Sequence, residues 1–66
     1  MIKNRISEEL DRQGKSMYWL AQETQTSYPT IHKLSNNKTE SIKFDTLERI
    51  CRALNCSIGD LFTISD

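Results

Sequence analysis

The chain has 66 residues, and its nine lysines and arginines balance nine acidic residues, so its formal net charge is zero. This length allows one domain with a small core, which buries roughly 60% of the surface that the unfolded chain exposes. The sequence lacks an apolar run near the about 20 residues of a membrane span, lacks a signal peptide, and lacks the overall basic charge typical of nucleic-acid-binding proteins, so a single cytoplasmic domain is expected.

The first predicted helix covers residues 2–13. Ile6 and Leu10 lie one turn apart, Ile2 extends their apolar stripe, and charged residues cover the outer side. Gly14 follows at the position where a residue in the left-handed conformation commonly ends a helix.

The second predicted helix covers residues 17–24 and begins after Ser16, which is suited to cap it. Leu20 and Ala21 lie on its buried side, and Trp19 falls nearly opposite them. Two interpretations of Trp19 stay open at this point. The ring contacts a partner, or it lies over a neighbouring helix or loop and closes the small core.

A short polar segment joins this helix to the next one. Residues 23–27 contain no apolar side chain, and Ser27 can accept hydrogen bonds from free N–H groups of the following turn. Ala21 is small where the two helices must approach closely. Two short helices joined by a tight polar turn predict a helix-turn-helix.

The third predicted helix covers residues 27–36, with Ile31 and Leu34 on its buried side. In a helix-turn-helix, the N-terminal residues of the second helix enter the major groove of DNA. The outer side of this helix therefore supplies candidates for base contact, and the alternative interpretation is ordinary solvated surface. These candidates are Tyr28, Pro29, Thr30, His32 and Lys33.

The fourth predicted helix covers residues 45–54, and Asn55 is suited to the left-handed position that ends it. Its apolar stripe consists of Leu47, Ile50, Cys51 and Leu54. Ser57 and Asp60 resemble a capping box that opens a last helix over residues 58–62, with a tail over residues 63–66.

Cys51 and Cys56 are too few for a disulfide scaffold and are interpreted as small buried residues in a reducing cytoplasm. The single histidine, His32, is distant from them in sequence, so neither a metal site nor a cofactor is expected. No nucleophile and base stand at helical spacing, and no glycine-rich loop is available to hold a phosphate. The sequence therefore predicts that the protein is not an enzyme.

The string LAQETQTSYPTIHKLSNNK, followed by TLERICRALNCSIGDLF, resembles the Cro/phage-repressor family of helix-turn-helix domains, the xenobiotic-response-element type. The resemblance covers about residues 5–62. It implies an all-α, compact five-helix fold like that of lambda repressor, with the helix-turn-helix at helices two and three. Gln25 departs from the pattern, because the family usually has glycine at this turn, where a positive φ costs other residues about 1 kcal/mol.

The resemblance and the capping pattern also indicate contacts with the DNA backbone and a dimer. The predicted backbone contacts are Ser16, Met17, Ser27, Asn36, Asn37, Lys38 and Lys43. The candidate surface for a dimer or partner consists of Trp19, Leu54, Phe62 and Ile64. Residues 33–43 contain three lysines and one acid, Glu40, whereas three acids cluster in the first helix. The charge is therefore predicted to be unevenly distributed along the chain.

The predicted function is a sequence-specific regulator of transcription that binds duplex DNA, with helix three in the major groove. A homodimer on a two-fold-related site is expected, and repression by occlusion is the simplest mode of action. The alternative is a protein–protein interaction module that retains the fold and binds DNA weakly or not at all. Zero net charge and the expected exposure of Trp19 motivate that alternative.

Overall fold

The computed structural model describes residues 1–65. Its elements in chain order are β1 (Ile2–Asn4), α1 (Ile6–Gln13), α2 (Met17–Glu23), α3 (Tyr28–Ser35), α4 (Phe44–Leu54), α5 (Ile58–Leu61) and β2 (Phe62–Ile64). The ranges of α2 to α5 confirm the sequence predictions to within one residue at each end. Within residues 1–65, no helix is both long enough and apolar enough to cross a membrane.

All five helices contribute to one apolar core. Its buried members are Ile6, Leu10, Leu20, Ala21, Ile31, Leu34, Ile50, Cys51, Leu54 and Leu61. All of them except Leu61, which lies in the short α5, are on the helix face that the apolar spacing predicts to be buried. The fully buried Thr24 donates its hydroxyl to the carbonyl oxygen of Leu20 at 2.7 Å, so this polar group is satisfied inside the core.

The prediction of an all-α fold is only approximate, because the chain ends form a two-stranded sheet. β1 pairs antiparallel with β2, and Ile2 lies opposite Ile64. The predicted start of helix one at residue 2 is therefore wrong, and Ile2 is 66% exposed and does not extend the buried stripe. Pairing between the two chain ends leaves no local signal, whereas the four-residue spacing of Ile2 and Ile6 imitates a helical stripe, which is why these residues were assigned to a helix.

The same sheet corrects the prediction for the C-terminal end. The last helix ends at Leu61, and Phe62 begins β2. The predicted tail over residues 63–66 is ordered as strand at Thr63 and Ile64, and Asp66 lies outside the described residues. Reciprocal backbone hydrogen bonds between Met1 and Ser65 extend the ladder beyond both strands.

Four helices end with the same hydrogen-bonded motif. The residues after them with positive φ are Gly14, Gln25, Asn37 and Asn55, with φ values of 68°, 54°, 59° and 55°. At the end of α2, the N–H of Gln25 donates to the carbonyl of Gln22 and that of Thr26 donates to the carbonyl of Ala21, which is the Schellman arrangement. The predicted positive φ at Gln25 is thus confirmed, and this β-carbon-bearing residue carries the strain of the turn.

Candidate nucleic-acid interface

The helix-turn-helix is formed by α2 and α3, and a serine caps each helix at its start. Ser16 Oγ accepts a hydrogen bond from the Trp19 N–H at 3.0 Å. Ser27 Oγ accepts one from the Thr30 N–H at 3.4 Å and lies 2.7 Å from Thr30 Oγ1. Both predicted caps are confirmed, and they fix the first turns of the two helices.

The turn between the helices is anchored to α4. Arg49 donates from Nη1 to the carbonyl oxygen of Thr24 at 3.3 Å and forms an ion pair with Asp45 at 3.1 Å. The hydroxyl of Thr26 donates to the same carbonyl at 3.1 Å. The two donors stabilise the carbonyl of Thr24 inside the turn, and the one from Arg49 ties the turn to α4.

The buried side of α3 is as predicted, and its opposite side is open to solvent. Ile31 and Leu34 lie in the core beside Leu20 and Ala21 of α2. The exposed residues of α3 and its C-cap are Pro29, Thr30, His32, Lys33 and Asn36, and Tyr28 is half-buried. All five predicted base-contact residues therefore lie along the N-terminal and outer part of this helix. We call the surface formed by the accessible side chains of residues 16–18, 28–33 and 36–43 the recognition face.

An aromatic pair lies where the starts of α2 and α3 meet. The rings of Tyr18 and Tyr28 stack with 4.2 Å between centroids and an interplanar angle of 11°. The imidazole of His32 lies 5.9 Å from the Tyr28 ring at 40°. Sequence reasoning missed Tyr18, which is 67% exposed, because it treated Trp19 as the outward-facing aromatic of α2. Tyr18 immediately precedes Trp19 and so lies about 100° from it around the helix axis. This difference in direction is the signal in the sequence that could have identified Tyr18.

The loop after α3 is tied to the first strand through two asparagines. The backbone N–H and the side-chain Nδ2 of Asn4 both donate to Asn37 Oδ1, at 3.1 and 3.0 Å. The same Nδ2 donates to the carbonyl of Leu34 at 2.6 Å, and Asn4 Oδ1 accepts from the N–H of Ile6 at 3.1 Å. The backbone N–H of Asn37 is also bonded, to the carbonyl of Leu34, so both the side chain and the backbone of Asn37 are held in place.

Other predicted backbone-contact residues differ in how accessible they are. Ser16, Ser27, Asn36, Lys38 and Lys43 are exposed, whereas the side chain of Met17 packs partly against the core. Asn36 donates from Nδ2 to the carbonyl of His32 at 2.8 Å, which holds its amide close to the imidazole.

The arginines and the lysines differ in whether they form ion pairs. Three of the four arginines form ion pairs with an acid on their own helix, namely Arg12 with Glu9, Arg49 with Asp45 and Arg52 with Glu48. Among residues 1–65, no lysine forms such a pair. The three lysines of the recognition face, Lys33, Lys38 and Lys43, therefore form no ion pair within that range and outnumber its one acid, Glu40, as the uneven distribution in the sequence predicted.

Hydrogen bonding has its largest effect on ionisation at Glu9, on α1. The guanidinium of Arg12 and the amide of Gln13 bond its carboxylate and lower its pKa to about 2. The Gln13 amide also donates to the Leu54 carbonyl at 2.8 Å, so this carboxylate belongs to a network that joins α1 to α4. Burial raises the pKa of the Cys51 and Cys56 thiols, which are both free and remain protonated at neutral pH.

The candidate surface for a dimer or partner is only partly correct. Leu54 is fully buried because it completes the apolar stripe of α4, so it cannot contact a second molecule. Trp19 packs against the core, with Lys15 Nζ 5.0 Å from its ring centroid, which favours the core-closing interpretation. Phe62 is half-buried, and Ile64 is 82% exposed on β2.

The comparisons with known proteins agree with this geometry. A family model of the Cro/C1-type HTH DNA-binding domain matches residues 5–66. The fold also matches the crystal structure of a candidate DNA-binding protein from Bacteroides fragilis, with a TM-score of 0.83 and 28% sequence identity. That match covers 96% of this chain and 100% of the other one. No curated protein sequence matches this chain.

Proposed function

Because this chain belongs to the family of Cro/C1-type helix-turn-helix DNA-binding domains, we propose that it is a sequence-specific regulator of transcription that inserts α3 into the major groove of duplex DNA. The family is a class of DNA-binding domains and not a class of enzymes. The observation that carries the proposal is the outer side of α3, where exposed polar residues follow a serine-capped N-terminus.

Chemistry on this side of α3 suits the edges of bases. Lys33 can donate to guanine O6 and N7, and the hydroxyl of Thr30 can donate to or accept from a base edge. The half-buried ring of Tyr28 can meet the methyl group of a thymine. His32 and Pro29 lie beside them and complete the proposed base-contact set.

The rest of the recognition face suits the sugar-phosphate backbone. Ser16 and Ser27 lie at the starts of helices, where free N–H groups and the helix dipole favour a phosphate. Lys38 and Lys43 lie in the loop after α3 and form no ion pair with the described residues, and the Asn37 side chain of the same loop is held by its hydrogen bond from Asn4. Such contacts set the position of the domain on DNA without reading the sequence.

A homodimer on a two-fold-related site, acting as a repressor by occlusion, completes the proposal. Two copies of α3 would then lie about 34 Å apart along the DNA. Ile64 and Phe62 are the parts of the predicted dimer surface that remain available. We expect the protein to act in the cytoplasm, where its two free thiols stay reduced.

A salt titration of binding to random-sequence duplex DNA, with sedimentation to measure the mass in solution, tests this proposal. Each phosphate contacted lowers log K by about 0.9 per tenfold increase in salt. We expect steep weakening of binding with salt and the mass of a dimer. Absence of binding to any duplex, including one selected from a random library, would contradict the proposal.

A protein–protein interaction module remains the alternative. The expected exposure of Trp19 no longer supports this alternative, since Trp19 packs against the core. The observation that still favours it is apolar, because Phe44 is 86% exposed and lines a shallow groove together with the exposed Ile58. Two results together would support this alternative. The domain would bind no duplex DNA, and Phe44→Ala would abolish its affinity for a protein partner.

A further inference from the structure

Tyr18 is a large aromatic residue that is exposed and takes no part in the core. Its ring is 67% accessible to solvent, while Leu20 and Ala21 of the same helix fill the core. The residues before and after it, Met17 and Trp19, both pack against the core. Tyr18 is therefore the outward-facing aromatic residue of α2, and its ring lies on the recognition face.

The stack with Tyr28 holds this ring at the start of α3. The two rings are nearly parallel, with 4.2 Å between their centroids, and they come from different helices. Each lies in the first turn of a helix whose serine cap is satisfied. Two rigid side chains on two fixed backbones form an aromatic surface that is already in place before any ligand arrives.

The chemistry of this surface indicates what it contacts. In the major groove, the 5-methyl group of thymine is the apolar feature of a base edge, and apolar side chains contact it. We propose that Tyr18 is a specificity-determining residue which, stacked on Tyr28, forms an aromatic surface that contacts the methyl group of a thymine. This inference rests on the proposed function and extends it to a residue of α2, outside the recognition helix.

The test removes the methyl group from the DNA and the ring from the protein. A duplex is first selected from a random library with the unaltered protein, and each thymine is then replaced singly by deoxyuridine. At one position we expect the loss of the methyl group to weaken binding roughly fourfold. Tyr18→Ala should bind the thymine and deoxyuridine duplexes equally, whereas Tyr18→Phe should keep the preference because it keeps the stacked ring.

Gln22→Ala is the matched control, since Gln22 is exposed on α2 one turn beyond Tyr18 and should keep the preference. Thermal melting of each variant verifies that it is folded, and the slope of affinity against salt should not change in Tyr18→Ala. The inference is overturned if no deoxyuridine substitution weakens the unaltered protein, if Tyr18→Ala keeps the preference, or if Tyr18→Phe loses it. In these cases the proposed function stands, whereas failure to select any duplex would overturn both.

Discussion

The recognition face and the helices α1 and α4 carry their charges in different ways. On α1 and α4, the arginines at positions 12, 49 and 52 are paired with acids three or four residues away. On the recognition face, Lys33, Lys38 and Lys43 form no ion pair with residues 1–65. Because the net charge is zero, the positive charge of these lysines is balanced by acidic residues outside the recognition face, such as Glu8, Asp11 and Asp60.

This difference shows why net charge is a poor guide to the partner of a small domain. A phosphate within about 10 Å of the surface experiences the nearby lysines, because salt screens the more distant charges. The arginines that are paired with acids contribute little to such a field. The zero balance that argued against DNA in the sequence is therefore compatible with a DNA-binding face.

The largest expected effect comes from removing two lysines of the recognition face. In Lys38→Gln with Lys43→Gln, the slope of log K against log salt should fall by about 1.8, which corresponds to roughly 60-fold weaker binding in about 0.1 M salt. The control is Arg12→Gln with Arg52→Gln, which removes the same charge from ion-paired positions. Fluorescence anisotropy measures the affinity of both double variants. Equal losses of affinity would contradict the claim that the unpaired lysines contribute more to DNA binding than the ion-paired arginines.

The second prediction concerns the link from the terminal sheet to the recognition face. Asn4→Ala removes donors from the Leu34 carbonyl and from Asn37 Oδ1, so the free energy of unfolding should fall by about 1–3 kcal/mol. The neighbouring Lys3→Ala, at an exposed strand position, should change it by less than about 0.5 kcal/mol. Urea denaturation measures both values, and similar small losses would show that the asparagine network contributes little.

The third prediction concerns strain in the turn between α2 and α3. Gln25→Gly should raise the free energy of unfolding by about 1 kcal/mol, because glycine adopts φ near 54° without strain. Gln22→Gly makes the same chemical change inside α2 and should lower the free energy by about 1 kcal/mol. Opposite signs in urea denaturation are the expected result. A loss of stability in both variants would show that the turn is not strained at Gln25.

The smallest expected effect concerns the carboxylate of Glu9 on α1 at low pH. The folded pKa of Glu9 is about 2, below its ordinary value of 4.5, so the unfolded chain binds this proton first as the pH falls. The stabilisation from this carboxylate is thus complete above pH 4.5 and is lost as the pH falls from 4.5 to about 2. In Glu9→Gln, the thermal midpoint should fall less over this range than in the unaltered protein. Identical acid profiles would contradict the contribution of Glu9.

The sequence predicted α2 to α5 well because their signals are local. Ser16 and Ser27 are side-chain caps that act within one turn, and the stripes of α3 and α4 repeat at the helical period. β1 was missed because its partner lies at the other end of the chain, and pairing between Ile2 and Ile64 leaves no local pattern.

The candidate site was predicted less completely than the fold. A helical wheel placed the exposed side of α3 correctly, since Ile31 and Leu34 fix its buried side. The wheel misjudged α2, where Trp19 and Tyr18 are adjacent and tertiary packing decides which ring is covered. The contact between Tyr18 and Tyr28 depends on the angle between two helices, which no pattern within either helix specifies.

The most direct test of the central claim, that α3 reads the bases, is the base preference of Lys33→Ala. Duplexes selected from a random library by this variant should differ at one base pair from those selected by the unaltered protein, through loss of a guanine preference. Affinity for the original duplex should fall by a factor equivalent to about 1–3 kcal/mol, with thermal melting unchanged because Lys33 is exposed. If Lys33→Ala keeps both the base preference and the affinity, α3 is not the helix that reads DNA.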